Sequence, residues 1–568
     1  MMPGAALLLV ALQLRAGTEQ SGARSVSAGD SVRVVRSARS AQSSFEGFRR
    51  TRLPLGYDSH HPCDVRIGRY CFWREEESDE KEPKESPEIT KRRDELIRTL
   101  DSAAVALPGD RWLAGQRVRY LVEAGRTDDA IRAASEDCSA EANWCASLVG
   151  YAAHVGGRFA LADSAFNVAL AAMSEADRCR WIDISRLLES DLERRFHDLD
   201  CAGRSSLAQR IFWLGAPLYS VAATDLRTEH FARLTRSRLA EHAATIDGNS
   251  WADDQRELVL RYGWPRWYSR STPPVGSMTQ PSITGHDGGR TYHFFPSLRA
   301  VDSMHAIGSD DWRLDDRFAR TGYAPSFAKT IHDLPSQIAL FRRGDSTLAV
   351  AAWDARRDTT LLGRSLNAAL VLASPTDGQT LARIDSAKTT GRIAVGGRIQ
   401  SGVVSLELLA KDDRRAARVR VGIPERATTR VALSDLLLYA ANGTPAYELD
   451  AVRDSALASA VIPMSRAIGV YWETYGLRPT GEPVRFTLTV EQVGVGWMRR
   501  AAEALRFADP TTALRLQWEE VPEQRHGVAG RGVRVDLSRL RSGKYRVELS
   551  IAPRGEPAAV SSRDIEIR

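Results

Sequence analysis

The sequence is poor in lysine, has no cysteine after Cys201, and lacks long apolar runs. Lysine occurs seven times among 78 basic residues, so arginine supplies nearly all the positive charge. Where charges crowd, as in RRDELIR, ERRFHDLD and KDDRRAAR, the signs are mixed. A nucleic-acid surface gathers its basic residues on one face. The net charge of +6 therefore reads as a solvated surface, and no nucleic-acid partner is expected. No segment reaches the ~18 consecutive apolar residues of a membrane span, so no transmembrane helix is expected in the mature chain. The local signatures GxSxG, HExxH, GxxxxGK[ST], the EF-hand loop and CxxC are all missing. Each encodes a mechanical requirement of hydrolytic, nucleotide, calcium or redox chemistry. No catalytic residue, metal ligand or cofactor is expected, and the chain reads as a non-enzyme.

What is present points to export. The opening MMPGAALLLVALQLRAGTEQ holds an apolar run from Ala5 to Leu14, the length of a signal-peptide core, although MMPG carries no basic residue. Residues 1–19 are expected to be a signal peptide, with a buried N-terminal helix as the alternative. Six cysteines fall in three local couples: Cys63 with Cys71, Cys138 with Cys145, and Cys179 with Cys201. Six thiols allow fifteen pairings, and the nearest-neighbour pattern is the expected one. In HHPCDVRIGRYCFW, residues 60–73, His60, His61, Cys63 and Cys71 offer a zinc ion four ligands. Adjacent histidines seldom both turn onto one ion, so a disulfide is the favoured reading. Disulfides persist outside the reducing cytosol. A secreted or periplasmic protein is expected.

Along the chain, residues 20–55 show no sustained periodicity and read as a disordered mature N-terminus. A Cys-loop and a charged linker occupy 56–88. From 89 to 245 apolar residues follow helical spacing. AGRTDDAIRAA at Ala124 and GGRFALADSAF at Gly156 repeat each other 32 residues apart. Gly150, Ala153, Ala162 and Ala169, with Phe159 and Phe166 between, predict two antiparallel helices in close approach. This pattern resembles the tetratricopeptide repeat, and a generic helical hairpin is the alternative. The resemblance implies a concave surface for a peptide or partner protein. In DLRTEHFAR, Glu229 and His230 lack zinc-protease spacing, and an ion pair from Glu229 to Arg233 is expected.

ELVLRYG reads as a short apolar strand ended by GWP. Gly248, Trp251 and Asp253, followed by Tyr262, Gly263 and Pro265, resemble a family of bacterial secreted proteins known by a GWxTD motif. Here two residues separate Gly from Trp and no threonine is present. The resemblance implies export and architecture, and names no reaction. Residues 246–335 are expected to be a mixed segment. Within it, SDDWRLDD reads as a solvated face, and the loop holding His286 and His293 as packed by its aromatics. Trp264, Trp267 and Tyr268 are the alternative, a carbohydrate-stacking platform.

From Gln337 onward the period changes from 3.6 to 2. QIALFRRGDSTLAVAAWDA reads as a hairpin turning at Gly-Asp. Asn442, in ANGT, marks a turn or a glycosylation sequon. Two β-sandwiches, immunoglobulin-like in shape, are expected over 336–428 and 429–568. The fold class is thus multidomain α plus β, with a tetratricopeptide-like helical domain, a small mixed segment and two β-sandwiches. The expected function is an exported, non-catalytic interaction or scaffold protein of the bacterial cell envelope, its protein or peptide partner held by the helical repeats. The alternative is an envelope-polymer hydrolase or carbohydrate-binding protein with its site in 246–335.

Overall fold

The structure is a computed structural model. It describes residues 28–53, 64–72, 85–221, 224–265, 267–270, 283–287, 290–316, 318–426, 429–441, 446–464, 467–493 and 512–568. The signal-peptide expectation, His60, His61, Cys63 and Asn442 lie outside them. The protein is a mixed α and β multidomain chain, with helices gathered in its N-terminal half and sheets in its C-terminal half.

The expected disorder of 20–55 is corrected over most of that range by a helix, α1 (Ala28–Arg50). Its buried positions are Ala38, Gln42, Phe45, Glu46 and Arg49, one face at helical spacing. Three of these five are polar, so no apolar pattern betrays the face. Gln42 donates through Nε2 to the Ala244 carbonyl and the Tyr120 hydroxyl, both at 2.9 Å, and accepts from Ala244 N at 3.0 Å.

Helix α2 (Pro87–Ala106) starts with Pro87 behind a Ser86 cap. Then come α3 (Arg111–Glu123), α4 (Thr127–Ser135), α5 (Ala142–Val155) and α6 (Phe159–Ala171). Helices α3 and α4 form one hairpin, α5 and α6 the next, with α4 and α6 starting 32 residues apart. Ala153, Ala162, Phe166 and Ala169 are fully buried between them. A Cβ added at Gly150 would sit 2.7 Å from the Phe166 ring. Gly150→Ala is expected to cost about 1–3 kcal/mol by overpacking. Chemical denaturation of the full chain measures it, and an unchanged midpoint would contradict the close approach.

The chain continues through α7 (Glu175–Trp181), α8 (Ser190–His197), α9 (Cys201–Gly215) and α10 (Asp225–Ala240). Helix α10 packs against α3, α5 and α6. The face that the leading helices of the two hairpins share is therefore taken by the chain itself. Cys138–Cys145 and Cys179–Cys201 are disulfides, as the spacing predicted, with Cα atoms 5.8 and 5.6 Å apart. Cys71 is also disulfide-bonded.

ELVLRYG is helical, which corrects the strand reading: it lies in α11 (Asp253–Tyr262). Gln255 accepts from Ala252 N at 2.9 Å, and Gln255, Leu258, Val259 and Tyr262 bury one helical face. Gly263, at φ +80°, terminates the helix where an L side chain would be strained. Strands β1 (Val65–Ile67), β2 (Tyr70–Phe72), β3 (Trp267–Arg270) and β4 (Ile283–Asp287) make one sheet in the order β1-β2-β4-β3. The Cys-loop and the 246–335 segment, separate in the sequence reading, are joined there. Phe72 stacks on Tyr262 at 3.8 Å.

Eight strands follow: β5 (Thr330–Asp333), β6 (Ser336–Arg343), β7 (Ser346–Asp354), β8 (Leu366–Ser374), β9 (Gly378–Ala387), β10 (Thr390–Gly397), β11 (Val403–Ala410) and β12 (Arg415–Gly422). They form sheets β10-β7-β6 and β5-β12-β11-β8-β9, which share a core around Trp353, Leu370 and Leu406. The hairpin from β6 to β7 turns at Gly344, as expected. The last set is β13 (Ala432–Leu433), β14 (Leu437–Tyr439), β15 (Val461–Ile462), β16 (Ala467–Tyr475), β17 (Val484–Gln492), β18 (Thr512–Glu520), β19 (Val528–Asp536), β20 (Gly543–Pro553) and β21 (Ala559–Ile567). Here β13 and β14 pair successive parts of one edge of β16 and β19 pairs the other edge, while the second sheet runs β15-β21-β20-β17-β18. Trp472 sits in the core between them.

The two halves are not beads on a string. Ile211, Leu214 and Leu218 pack with Phe294, Tyr323, Val371 and Val403 in one cluster that crosses both predicted boundaries. Among the described residues, no helix is long and apolar enough to cross a membrane.

Candidate functional site

Beside α10 the helical half opens a cavity of about 580 Å³, and a second of about 330 Å³ lies by Arg39, Trp112 and Trp144. Residues of α1, α2, α3, α5, α10 and α11 contribute to the wall of the larger one. Its rim holds the exposed Arg52, Glu85 and Val155. Its depth is set by buried arginines: Arg49 and Arg236 are each 6% exposed and Arg93 is 5% exposed. The apolar part comes from Ile89, Val122, Ala232, Ile246, Val259 and Trp264.

Buried guanidinium groups need acceptors, and two glutamates supply most of them. Glu123, at the end of α3, accepts from Arg49 Nη1 at 2.8 Å, Arg119 Nε at 3.1 Å and Arg236 Nη2 at 2.5 Å. Burial opposes its charge, but Arg49, Arg236, Arg119 and Arg93 outweigh burial and hold the carboxyl well below its usual range. Glu46 accepts from Arg49 at 2.7 and 2.9 Å, Arg119 Nη2 at 2.8 Å and the Tyr120 hydroxyl at 2.6 Å. Arg236 also donates to the Tyr151 hydroxyl at 2.8 Å, and its guanidinium lies 4.0 Å from the Trp264 ring centre. Arg93 donates to the Glu123 carbonyl at 3.0 Å and pairs with Glu85 at the rim.

A second cluster forms the other wall. The expected ion pair exists: Arg233 Nε donates to Glu229 at 2.6 Å. Sequence reasoning missed His154, whose Nε2 meets Glu229 Oε2 at 2.5 Å while Nδ1 meets the Thr228 hydroxyl at 2.9 Å. Burial pushes the Glu229 carboxyl up, yet Arg233 and His154 overcome it and hold it at about 2. Thr228 is fully buried and its hydroxyl also donates to the Asp225 carbonyl. Both ring nitrogens of His154 are thus committed.

Beneath this wall lie Asp225 and His230. Asp225 Oδ2 accepts from the Tyr323 hydroxyl at 3.1 Å, and Oδ1 has no partner among the described residues. Burial drives this carboxyl well above the usual range, the Tyr323 bond only partly offsetting it. Burial also drives His230 down to about 4. The two act oppositely on stability. Folded Asp225 keeps a proton that the unfolded chain releases above its own pKa of ~3.9, so its contribution is full below that pH and lost as pH rises. Folded His230 refuses a proton that the unfolded chain takes below ~6.5, so its contribution is lost as pH falls from there towards 4. Asp225→Asn is expected to melt higher than the wild type at pH 7, with the gain gone at pH 4. Thermal midpoints at the two pH values check this, and a constant difference would contradict it.

The residues singled out from sequence are dispersed. Of the motif residues, Pro265 lines the cavity, Gly263 ends α11, and Tyr262 is buried beneath Phe72. Gly248, at φ +77°, has Arg50 packed where a Cβ would go. Trp251 buries its Nε1 with no partner among the described residues, and exposed Asp253 pairs with Arg256 at 3.0 Å. His293 is buried and contacts the Thr321 hydroxyl at 2.8 Å beside buried Tyr292, Phe294 and Phe295, a loop packed by its aromatics. Of the SDDWRLDD acids, Asp311 departs from the solvated-face reading: it is 5% exposed and held by Arg299 at 2.6 Å. Among the described residues, no three His, Cys, Asp or Glu side chains group as metal ligands would.

No protein-family model matches the chain, and no curated protein sequence matches it. Among solved structures, the soluble domain of PmoD from Methylocystis sp. ATCC 49242 (Rockwell) is similar at 11% identity, covering 23% of this chain and 97% of that one, with a TM-score of 0.14. The FN1–FN3 domains of chicken CNTN1 are similar at 10% identity over 42% of this chain and 68% of that one, with a TM-score of 0.15. Red sea bream transglutaminase is similar at 9% identity over 42% and 32%, with a TM-score of 0.13. At such scores none of them assigns a fold or a function to this chain.

Proposed function

We propose that this chain is an exported, non-catalytic binding protein of the bacterial cell envelope, and that a segment of a partner protein enters the arginine-walled cavity of its helical half. The observation that carries the reading is that open cavity, whose size falls in the ~300–1,000 Å³ range of clefts that take small molecules or a few side chains. Two disulfides within the described residues support an oxidising compartment. The α3–α4 and α5–α6 hairpins support the tetratricopeptide-like reading, with one change of mechanism. A partner does not lie along the face of α3 and α5, because α10 is there; it enters beside α10. The β-rich half, immunoglobulin-like on this reading, anchors and spaces the helical half.

The test uses the full chain and a degenerate decapeptide library, with retained peptides sequenced. Enrichment is expected for the wild type and not for Ala232→Leu, which fills the cavity. Retention of no peptide, or equal retention by both proteins, would contradict the reading.

A further inference from the structure

The second cavity, of about 330 Å³, is walled by residues of α1, α3, α5 and α10. Three arginines line it: Arg39 of α1, Arg111 at the start of α3 and Arg238 near the end of α10. Each guanidinium rests over an indole ring, Arg39 over Trp112 at 4.8 Å from its centre, Arg111 over Trp144 at 4.6 Å and Arg238 over Trp181 at 4.8 Å. Stacking occupies the face of a guanidinium and leaves its edge N–H groups free. Those edges are scarcely used. Arg39 donates to the His242 carbonyl at 3.4 Å, and the Arg111 and Arg238 side chains have no hydrogen bond or ion pair among the described residues. Neighbours on the same helices differ: Arg117 of α3 pairs with Asp101 and Asp137, and Arg236 of α10 with Glu123.

Arg238 is half-buried, yet its nitrogens reach solvent. Burial disfavours its charge; Glu241 opposes that effect and Arg111 adds to it. Glu241 also lines the cavity, but it is held by Arg256 at 3.0 Å. The other polar groups of the wall are spent inside the protein. Trp112 donates to the His242 carbonyl at 2.9 Å, Trp144 to the Arg111 carbonyl at 3.1 Å and Gln116 to the Leu239 carbonyl at 2.7 Å. The donors left to a ligand are guanidinium edges from three helices. A phosphoryl group offers them three strong acceptor oxygens and a charge of about −1.5 to −2, where a carboxylate offers two oxygens along one edge.

We propose that the second cavity is a phosphate site, in which Arg39, Arg111 and Arg238 donate to the oxygens of a phosphoryl group. Inorganic phosphate and a phosphate monoester both supply this chemistry. The site is independent of the partner reading of the larger cavity.

The probes are inorganic phosphate, glucose 1-phosphate and acetate, titrated calorimetrically into the full chain at constant ionic strength. Phosphate or its ester is expected to bind once per chain, at least tenfold tighter than acetate. Arg111→Gln and Arg238→Gln should each weaken that binding at least tenfold. Arg92→Gln, which removes an exposed arginine stacked on Phe48 outside the cavity, should leave it unchanged. Circular dichroism midpoints of the variants without ligand confirm folding. Tighter binding of the ester supports the site and identifies an esterified ligand; tighter binding of phosphate supports it and identifies the free ion. Binding of neither, acetate bound as tightly as phosphate, or equal weakening by Arg92→Gln overturns the proposal.

Discussion

Replacing Glu46 by alanine is expected to destabilise the helical half by about 3–5 kcal/mol, the cost of breaking a buried ion pair from one side. The carboxylate is 1% exposed and accepts four hydrogen bonds, from Arg49, Arg119 and Tyr120. Without it, Arg49 would lose both bonds to Glu46 and Arg119 would keep Glu123 and Gln116 alone among the described residues, while Glu123 also serves Arg236. The repulsion among these guanidinium groups would then be less offset in a poorly solvated place. A loss of this size lowers the melting temperature of a unit of this size by roughly 10 °C. Calorimetry of the full chain reads it directly. Glu46→Gln should recover part of the loss by keeping the acceptor without the charge. A change below about 1 kcal/mol would mean that α1 is not docked as described.

A comparable loss, again about 3–5 kcal/mol, is expected from Glu407→Ala, but at the junction between the halves. Glu407 on β11 is 1% exposed and accepts from Tyr219 N at 2.9 Å, Ser220 N at 3.0 Å, the Ser220 hydroxyl at 2.6 Å and the Ser405 hydroxyl at 2.7 Å. It thereby ties the loop after α9 to the sheet. Two arginines of β12 complete the joint: Arg418 donates to Ala216 O at 2.8 Å, and Arg420 to Leu214 O at 2.9 Å and Ala216 O at 2.6 Å. Burial, then Arg420, disfavours the charge on Arg418, with Glu407 opposing both. Removing Glu407 deprives two buried cations of their nearby anion and strands two backbone N–H groups. Limited proteolysis should then cut near residues 216–221 under conditions that leave the wild type intact. Calorimetry should resolve the halves into separate transitions. Unchanged cleavage would show that the junction is held by apolar packing alone.

What was legible from sequence follows physical lines. Small residues at Gly150, Ala153, Ala162 and Ala169 reported a helix pair in close contact because only small side chains permit it. The hairpin of β6 and β7 showed in its apolar runs because consecutive positions of both strands, and so both faces, are buried. Strand β9 carries no such run, its side chains being mostly exposed or half-buried. Helix α1 escaped because its buried face is built from Gln42, Glu46 and Arg49, whose partners on other elements lie 73 or more residues away in Tyr120, Glu123, Arg119 and Ala244. The cavity was illegible for the same reason. Arg49, Arg93, Glu123, His154 and Arg236 come from five helices, and no local spacing links them. Glu229 with Arg233 was read as a pair from its spacing, whereas Glu46 with Arg49 and Arg119 with Glu123, equally close in sequence, were not. ELVLRYG misled because a short apolar run fits a buried strand or a helix, and the deciding features, Gln255 at its start and the φ of Gly263, lie outside the apolar letters.

The central claim is that the helical half is closed on itself, with α1 and α10 as integral parts, so that partner binding is confined to the larger cavity they help to wall. Native-state hydrogen exchange of the full chain, followed by mass spectrometry of its peptides, tests this most directly. Amides of 38–49 in α1 and 226–240 in α10 are expected to exchange as slowly as those of α5, opening only with the whole helical half. Fast exchange in either helix, beside slow exchange in α5, would mean that the face is open to a partner and that the cavity is not the site.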